Sequence, residues 1–258
     1  MKKYIFILFF LPILSFCQTV RVDYVENRIV SKERLEKTPE FARAEVLKKK
    51  YFSLINSNGV SMYSFVSRDK VDTLKTETHE VDLEDTKQIT QSIYKITSDQ
   101  SEDFYYKDFA DNSIIFRMFN GGTNFDGRDK LINWNWIITN ETQKMNGFTC
   151  KKAISNSYGT QFIAWYAEEI SISDGPQKYS GLPGLILHVS SPFYEWNANN
   201  IEITKAITTI EKPREINKTY TFLEIRDILI RKPMPVSGTT TKIEGNSTTT
   251  TTTTVIRD

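Results

Sequence analysis

Asp174-Gly175-Pro176-Gln177-Lys178-Tyr179-Ser180-Gly181-Leu182-Pro183-Gly184-Leu185-Ile186-Leu187-His188-Val189 is the stretch whose reading decides the fold. It reads as a stiff double turn that launches a strongly apolar strand. Proline at 183 fixes φ, and Gly184 after it suits the positive φ of a type II turn. Gly175-Pro176 and Gly181 add further breaks, so a rigid elbow precedes the run Leu185 to Val189. Such a loop loses little entropy on docking to a partner. It could equally fold over a sheet edge or the end of a core, which also demands fixed geometry.

Working outward, the neighbours of the elbow read as antiparallel strands. Phe148 to Ser155 and Thr160 to Ala167 flank the turn Asn156-Ser157-Tyr158-Gly159, with Phe162, Ala164 and Tyr166 opposing Ile163 and Trp165. Leu131 to Thr139 alternates cleanly. Ile132, Trp134, Trp136 and Ile138 share one face, which predicts a half-buried strand whose indoles fill a core rather than a groove. Tyr194 to Trp196 and Ile201 to Ile210 supply further strand segments before Lys212-Pro213.

The first half is similar in style. Gln18 to Val30 reads as a strand, and a helix starts near Pro39 with Thr38 as its N-cap. Asn56-Ser57-Asn58-Gly59 between apolar runs signals a hairpin. Arg68 to Asp85 is polar and reads as a long loop or weak edge strand. Ile93 to Ile96, Phe104 to Lys107 and Ile114 to Phe119 continue a meander, and Asn120 to Asp129 reads as a glycine-rich loop. No helix opens after those glycines, so they do not form a phosphate cradle. Thr221-Phe222-Leu223-Glu224 is a capping box that opens a helix to Arg231. The fold class is therefore mainly β: a single antiparallel, curved sheet or open half-barrel with one or two helices.

Residues 1–17 read as a signal peptide. Lys2 and Lys3 form the basic end, Tyr4 to Leu14 is apolar but too short to span a bilayer, and Ser15 and Cys17 suit cleavage before Gln18. Cys17 leaves lipidation as an alternative to simple cleavage, disfavoured because Phe16 is large for the position before a lipidated cysteine. The mature region is one β-rich domain, 18–236, followed by a Thr-rich tail, 237–258, too poor in apolar residues to bury a core and expected to be disordered. No later segment is apolar enough to be a membrane helix. Losing Lys2 and Lys3 takes the formal charge from +1 to −1, which argues against a nucleic-acid partner. Of the cysteines only Cys150 remains in the mature chain, so no internal disulfide forms.

Gly181-Leu182-Pro183-Gly184-Leu185-Ile186 spells the signature of the GLPGLI family, secreted proteins of Bacteroidetes-type bacteria. Gly175-Pro176, Ala164-Trp165-Tyr166 and Gly147 to Ala153 resemble the family's other recurrent features. The family has no established activity, so the resemblance implies no catalytic residues and no cofactor. It implies export to the periplasm or outer membrane, and an association with TonB-dependent outer-membrane receptors and nutrient uptake.

The reading of function is a non-enzymatic envelope protein that binds a partner or an apolar ligand. Gly181, Leu182, Pro183, Gly184 and Leu185, with Trp165, Tyr166 and Tyr179, form its expected contact surface. Polar residues at 182 and 185 are then expected to abolish binding and spare the fold. The alternatives are a hydrolase using Cys150 or carboxylates, and a purely structural module. A Cys150–His188–Asp174 set has suitable residue types, although nothing local activates the thiol. With His79 and His188 far apart and no second ligand at i+2 or i+4, no metal site is expected.

Overall fold

The computed structural model describes residues 18–66, 73–83, 86–96, 103–120, 123–214, 219–231, 236–244 and 247–255; the signal-peptide reading, 1–17, lies outside them. Eleven strands form one antiparallel sheet that does not close into a barrel. In chain order the first half supplies β1 (Thr19–Arg28), α1 (Lys32–Lys37), α2 (Glu40–Val46), β2 (Lys50–Ser57), β3 (Val60–Phe65), β4 (Thr73–Leu83), β5 (Thr86–Ile96), β6 (Phe104–Asp108), β7 (Ser113–Asn120) and β8 (Thr123–Lys130). The second supplies β9 (Ile137–Met145), β10 (Phe148–Ser157), β11 (Thr160–Ala167), β12 (Leu185–Ser190), β13 (Tyr194–Thr204), α3 (Phe222–Arg231), β14 (Val236–Glu244) and β15 (Ser247–Val255).

The strand order β8-β7-β6-β3-β2-β1-β13-β12-β11-β10-β9 contains two meanders. One runs outward from β1 to the β8 edge. The other begins at the far edge with β9 and returns to pair β13 with β1. Residues 131–136 are all that joins the two edges. A flat sheet of this width would separate its outer strands by roughly 48 Å. A link from Lys130 to Ile137 reaches at most about 25 Å. The sheet must therefore curl, and its edges approach at the end where this link crosses.

That crossing corrects one expectation. Leu131 to Trp136 is not strand; β9 starts only at Ile137. Asn135 has φ +50, which breaks the pleat, and the expected apolar face splits: Trp134 is 1% exposed while Ile138 is 48% exposed. Alternation in sequence needs a neighbouring strand to become a pleat. Here the Trp134 carbonyl instead accepts from the Ser155 and Ser157 hydroxyls. The predicted loop at Asn120 to Asp129 is also corrected: β8 runs through it, paired with β7. Gly127 sits opposite Phe116, and a Cβ there would lie 2.0 Å from the Phe116 ring, so glycine makes room for that aromatic.

Other elements follow their local chemistry. Asn58 (φ +51) and Gly59 (φ +78) turn the β2–β3 hairpin. The Thr221 amide donates to Glu224 and the Glu224 amide donates back to the Thr221 hydroxyl, closing the capping box of α3. The backbone ahead of α3 covers the β8 edge, with Tyr220 donating to Asp126 O and accepting from Arg128 N. β4, in the stretch expected to be a loop or weak edge strand, pairs with β5 in a separate ribbon, and β5 contains the expected strand Ile93 to Ile96. The Thr-rich segment pairs as β14 with β15, also apart from the large sheet. Threonine is β-branched and fits an extended ladder even without a core to bury.

Inside the curl, Val20, Val22 and Tyr24 of β1 face Phe52 and Leu54 of β2, Tyr63 of β3, Tyr105 of β6 and Phe116 of β7. The rings stack in series: Phe52 on Tyr63 at 4.8 Å, Tyr105 on Phe116 at 5.9 Å, and Phe116 on Phe222 of α3 at 4.1 Å. The other half of the concave side is filled by residues 168–184, the excursion between β11 and β12.

Candidate binding site

The elbow is part of this filling. Asp174 is fully buried and pairs with the equally buried Lys107 of β6. The Lys107 ammonium also donates to Gly175 O at 2.7 Å and Tyr179 O at 3.3 Å, so each of its protons has an acceptor. The second Asp174 oxygen accepts from the Asn56 amide at 2.8 Å, and the first from Gly175 N–H. Burial pushes the Lys107 pKa down, and the Asp174 carboxylate pulls it back up. Tyr24 donates to Ile186 O at 2.5 Å, and Ile186 N–H donates to Asp174 O at 2.9 Å. Three strands of the first meander thus hold the start of β12.

The turn itself differs from the expected type II form. Gly184 N–H donates to Leu182 O at 2.8 Å, a three-residue turn centred on Pro183, and the positive φ, +92, falls on Gly181. Gly184 is needed for another reason. A Cβ there would stand 2.3 Å from the Ala167 carbonyl oxygen, which belongs to backbone and cannot swing away. Gly184→Ala is therefore expected to destabilise the protein by about 1–3 kcal/mol, read from chemical denaturation.

The predicted site residues separate into three groups. Leu182 and Leu185 are at most 1% exposed, as are Tyr166 and Tyr179, and Gly184 is buried with them. Tyr179 lies among Trp134 at 4.7 Å, Trp196 at 5.3 Å and Phe162 at 5.9 Å. Gly181 and Pro183 are exposed. Trp165 stands on the opposite sheet face, beside the Lys152 ammonium 6.0 Å from its ring. The eight residues therefore do not form one surface. Side chains that alternate along β11 must point to opposite faces, and the inward ones are consumed by the core.

A cleft of about 500 Å³ lies against the exposed rim of the elbow. Three loops build it: the β6–β7 turn with Phe109 and Asn112, the crossing with Leu131 to Trp136, and the elbow with Ser173 and Ser180 to Pro183. Both indoles are fixed by their ring N–H groups, Trp134 donating to Lys178 O at 3.2 Å and Trp136 to Ser180 O at 2.9 Å. The rings stack at 5.7 Å. Gly181 N–H donates to the Ser173 hydroxyl at 3.2 Å, tying the two sides of the elbow together. Among the described residues no Asp, Glu, Lys, Arg or His lines the cleft. Sequence reading missed Trp136, Asn112 and Asn135 as lining residues. The Trp134–Trp136 pair was visible, but its assignment to a strand directed both rings into a core.

The candidate nucleophilic set does not assemble. Burial pushes the Cys150 thiol up to about 11, the Glu169 carboxylate adding to the shift. His188 Nδ1 is 2.8 Å from the Asn197 amide oxygen on the neighbouring strand. Asp174 is bound to Lys107 and Asn56. Among the described residues no cluster of three His, Cys, Asp or Glu could hold a metal ion, and no helix is long and apolar enough to cross a membrane.

Lys178, at the far end of the elbow, lies with its ammonium 5.5 Å from the centre of the Phe222 ring. Burial lowers its pKa from 10.5 to about 8, and the Glu26 carboxylate opposes the shift. A lysine whose folded pKa is depressed binds its proton less well in the native state. Stability should then rise with pH from about 8 towards 10.5. Comparing unfolding midpoints across that window for the wild type and Lys178→Met checks this, and the variant should show the smaller rise.

One comparison with known proteins falls on this segment. A family described as a protein of unknown function, Porph_ging, has a model that matches residues 156–188. The Porph_ging match starts in the last residues of β10 and ends in β12, so it contains the whole excursion that fills the concave side. Two solved structures of PNGF-II, in C2 and P21 space groups, are similar to the chain, at 13% and 15% identity with TM-scores of 0.47 and 0.48. They cover 89% and 86% of this chain, while the chain spans 35% of the length of each. No curated protein matches.

Proposed function

We propose that the protein is a non-enzymatic binding module of the cell envelope that takes a ligand in the cleft beside Gly181 and Pro183. The observation that carries this is the cleft itself: about 500 Å³, within the range of small-ligand sites, with an indole floor whose orientation is set before any ligand arrives. The elbow contributes its rim, not its leucines. Envelope location rests on the N-terminal leader read from the sequence, and a TonB-dependent receptor as partner rests on the GLPGLI resemblance. The Cys150 hydrolase route gains nothing from the geometry, because a buried thiol with a raised pKa is a poor nucleophile.

The test is native mass spectrometry of the chain isolated from its own envelope. A bound mass present in the wild type should be lost in Trp136→Ala and kept in Trp165→Ala, which lies on the other face. No bound mass in the wild type, or its survival in Trp136→Ala, would count against the cleft.

A further inference from the structure

The chemistry of the cleft walls narrows the class of ligand. We propose that the cleft recognises a neutral saccharide, a deepening that rests on the reading of the cleft as the binding site. Three features carry it. The floor is aromatic, with Trp136 partly open beside the buried Trp134, and Phe109 also lines the cleft. The rim is amide: Asn112, Asn133 and Asn135 are all exposed, and the side chains of Asn112 and Asn135 make no hydrogen bond to the described residues. Among the described residues the lining carries no charge.

A sugar ring has an apolar face of C–H groups and an edge of hydroxyls that both donate and accept. Indole faces suit the first, since an aromatic ring packs apolar surface in a fixed orientation. Amides suit the second, because an Asn side chain offers two donors and an acceptor within one group. An acyl chain would bury the rim amides without partners, at a cost in free energy for each. A charged ligand would shed water with no counter-charge in the walls. The backbone prepares the rim as well. Asn112 (φ +49) and Asn135 (φ +50) both hold left-handed conformations that asparagine tolerates, which sets the direction in which each side chain leaves the backbone.

The experiment titrates the purified mature chain, followed by tryptophan fluorescence and calorimetry. The probes are neutral hexasaccharides of glucose, mannose, xylose and N-acetylglucosamine, an acidic oligogalacturonate, and lauric acid. At least one neutral saccharide should bind saturably, and Trp136→Ala should weaken it by about tenfold or more. Trp136 is partly buried, so Asn112→Gly and Asn135→Gly serve as independent variants; glycine keeps both positive φ angles and removes only the amide. Each should weaken saccharide binding several-fold with the unfolding midpoint unchanged. Failure of every neutral saccharide, or equal binding by both glycine variants, overturns the saccharide assignment. Lauric acid binding that is lost in Trp136→Ala, with no saccharide binding, rejects the sugar class and leaves the cleft as an apolar site. Loss of neither probe in any variant, or binding of none, rejects the cleft as well.

Discussion

Lys107→Met should lower the free energy of unfolding by about 3–5 kcal/mol. The size follows from what it leaves behind. Lys107 and Asp174 have side chains fully closed to solvent, so removing the ammonium strands a carboxylate inside the curl with only Asn56 and Gly175 as donors. It also orphans the carbonyls of Gly175 and Tyr179, which the ammonium serves now. The double variant Lys107→Met/Asp174→Asn should recover a large part of the loss, because an uncharged amide needs far less compensation than a carboxylate. Urea or guanidinium midpoints measure all three proteins. A loss below about 1 kcal/mol in the single variant would mean that water reaches the pair and that the excursion is not a core element.

The second large effect falls on the leucines of the elbow. Leu182→Ala and Leu185→Ala should each cost about 2–5 kcal/mol, the range for large-to-small changes in closed cores. Polar replacements at the two positions should cost more, since a buried polar atom there has no partner. This reverses the outcome that sequence reading expects, namely lost binding with an intact fold. Leu182 is 1% exposed and Leu185 is closed altogether, so their side chains cannot be the first surface a ligand meets. Far-UV spectra and denaturation curves decide between the two, and a folded Leu182→Ser variant with an unchanged midpoint would restore the docking-loop reading.

Much of the architecture was legible in the chain. The Asn58-Gly59 hairpin, the Thr221–Glu224 box and the alternation of β1, β10 and β11 are local signals. Each is written within a few residues, where the backbone and its nearest side chains settle the conformation. Local signals failed where a distant group took over. Leu131 to Trp136 alternates as a strand would, yet it is the link across the opening of the curl, and its Trp134 carbonyl and two indoles are bound by β10 and the elbow. Gly184 looked like the positive-φ position of a turn, but it is glycine because the Ala167 carbonyl passes too close for a Cβ.

The sequence by itself determined that this is an antiparallel β-protein with a rigid proline–glycine elbow ahead of a buried strand, because hydrophobic period and turn chemistry are properties of neighbouring residues. Only the tertiary structure decided which way the elbow faces. Lys107 and Asp174 are far apart in the chain, and nothing in either neighbourhood specifies that they meet. Their pairing inside the curl draws the elbow's leucines into the core, and it leaves Gly181, Pro183 and Trp136 to border the cleft. Burial and charge pairing are set by where the curled sheet brings distant strands together, and that placement is a property of the whole chain.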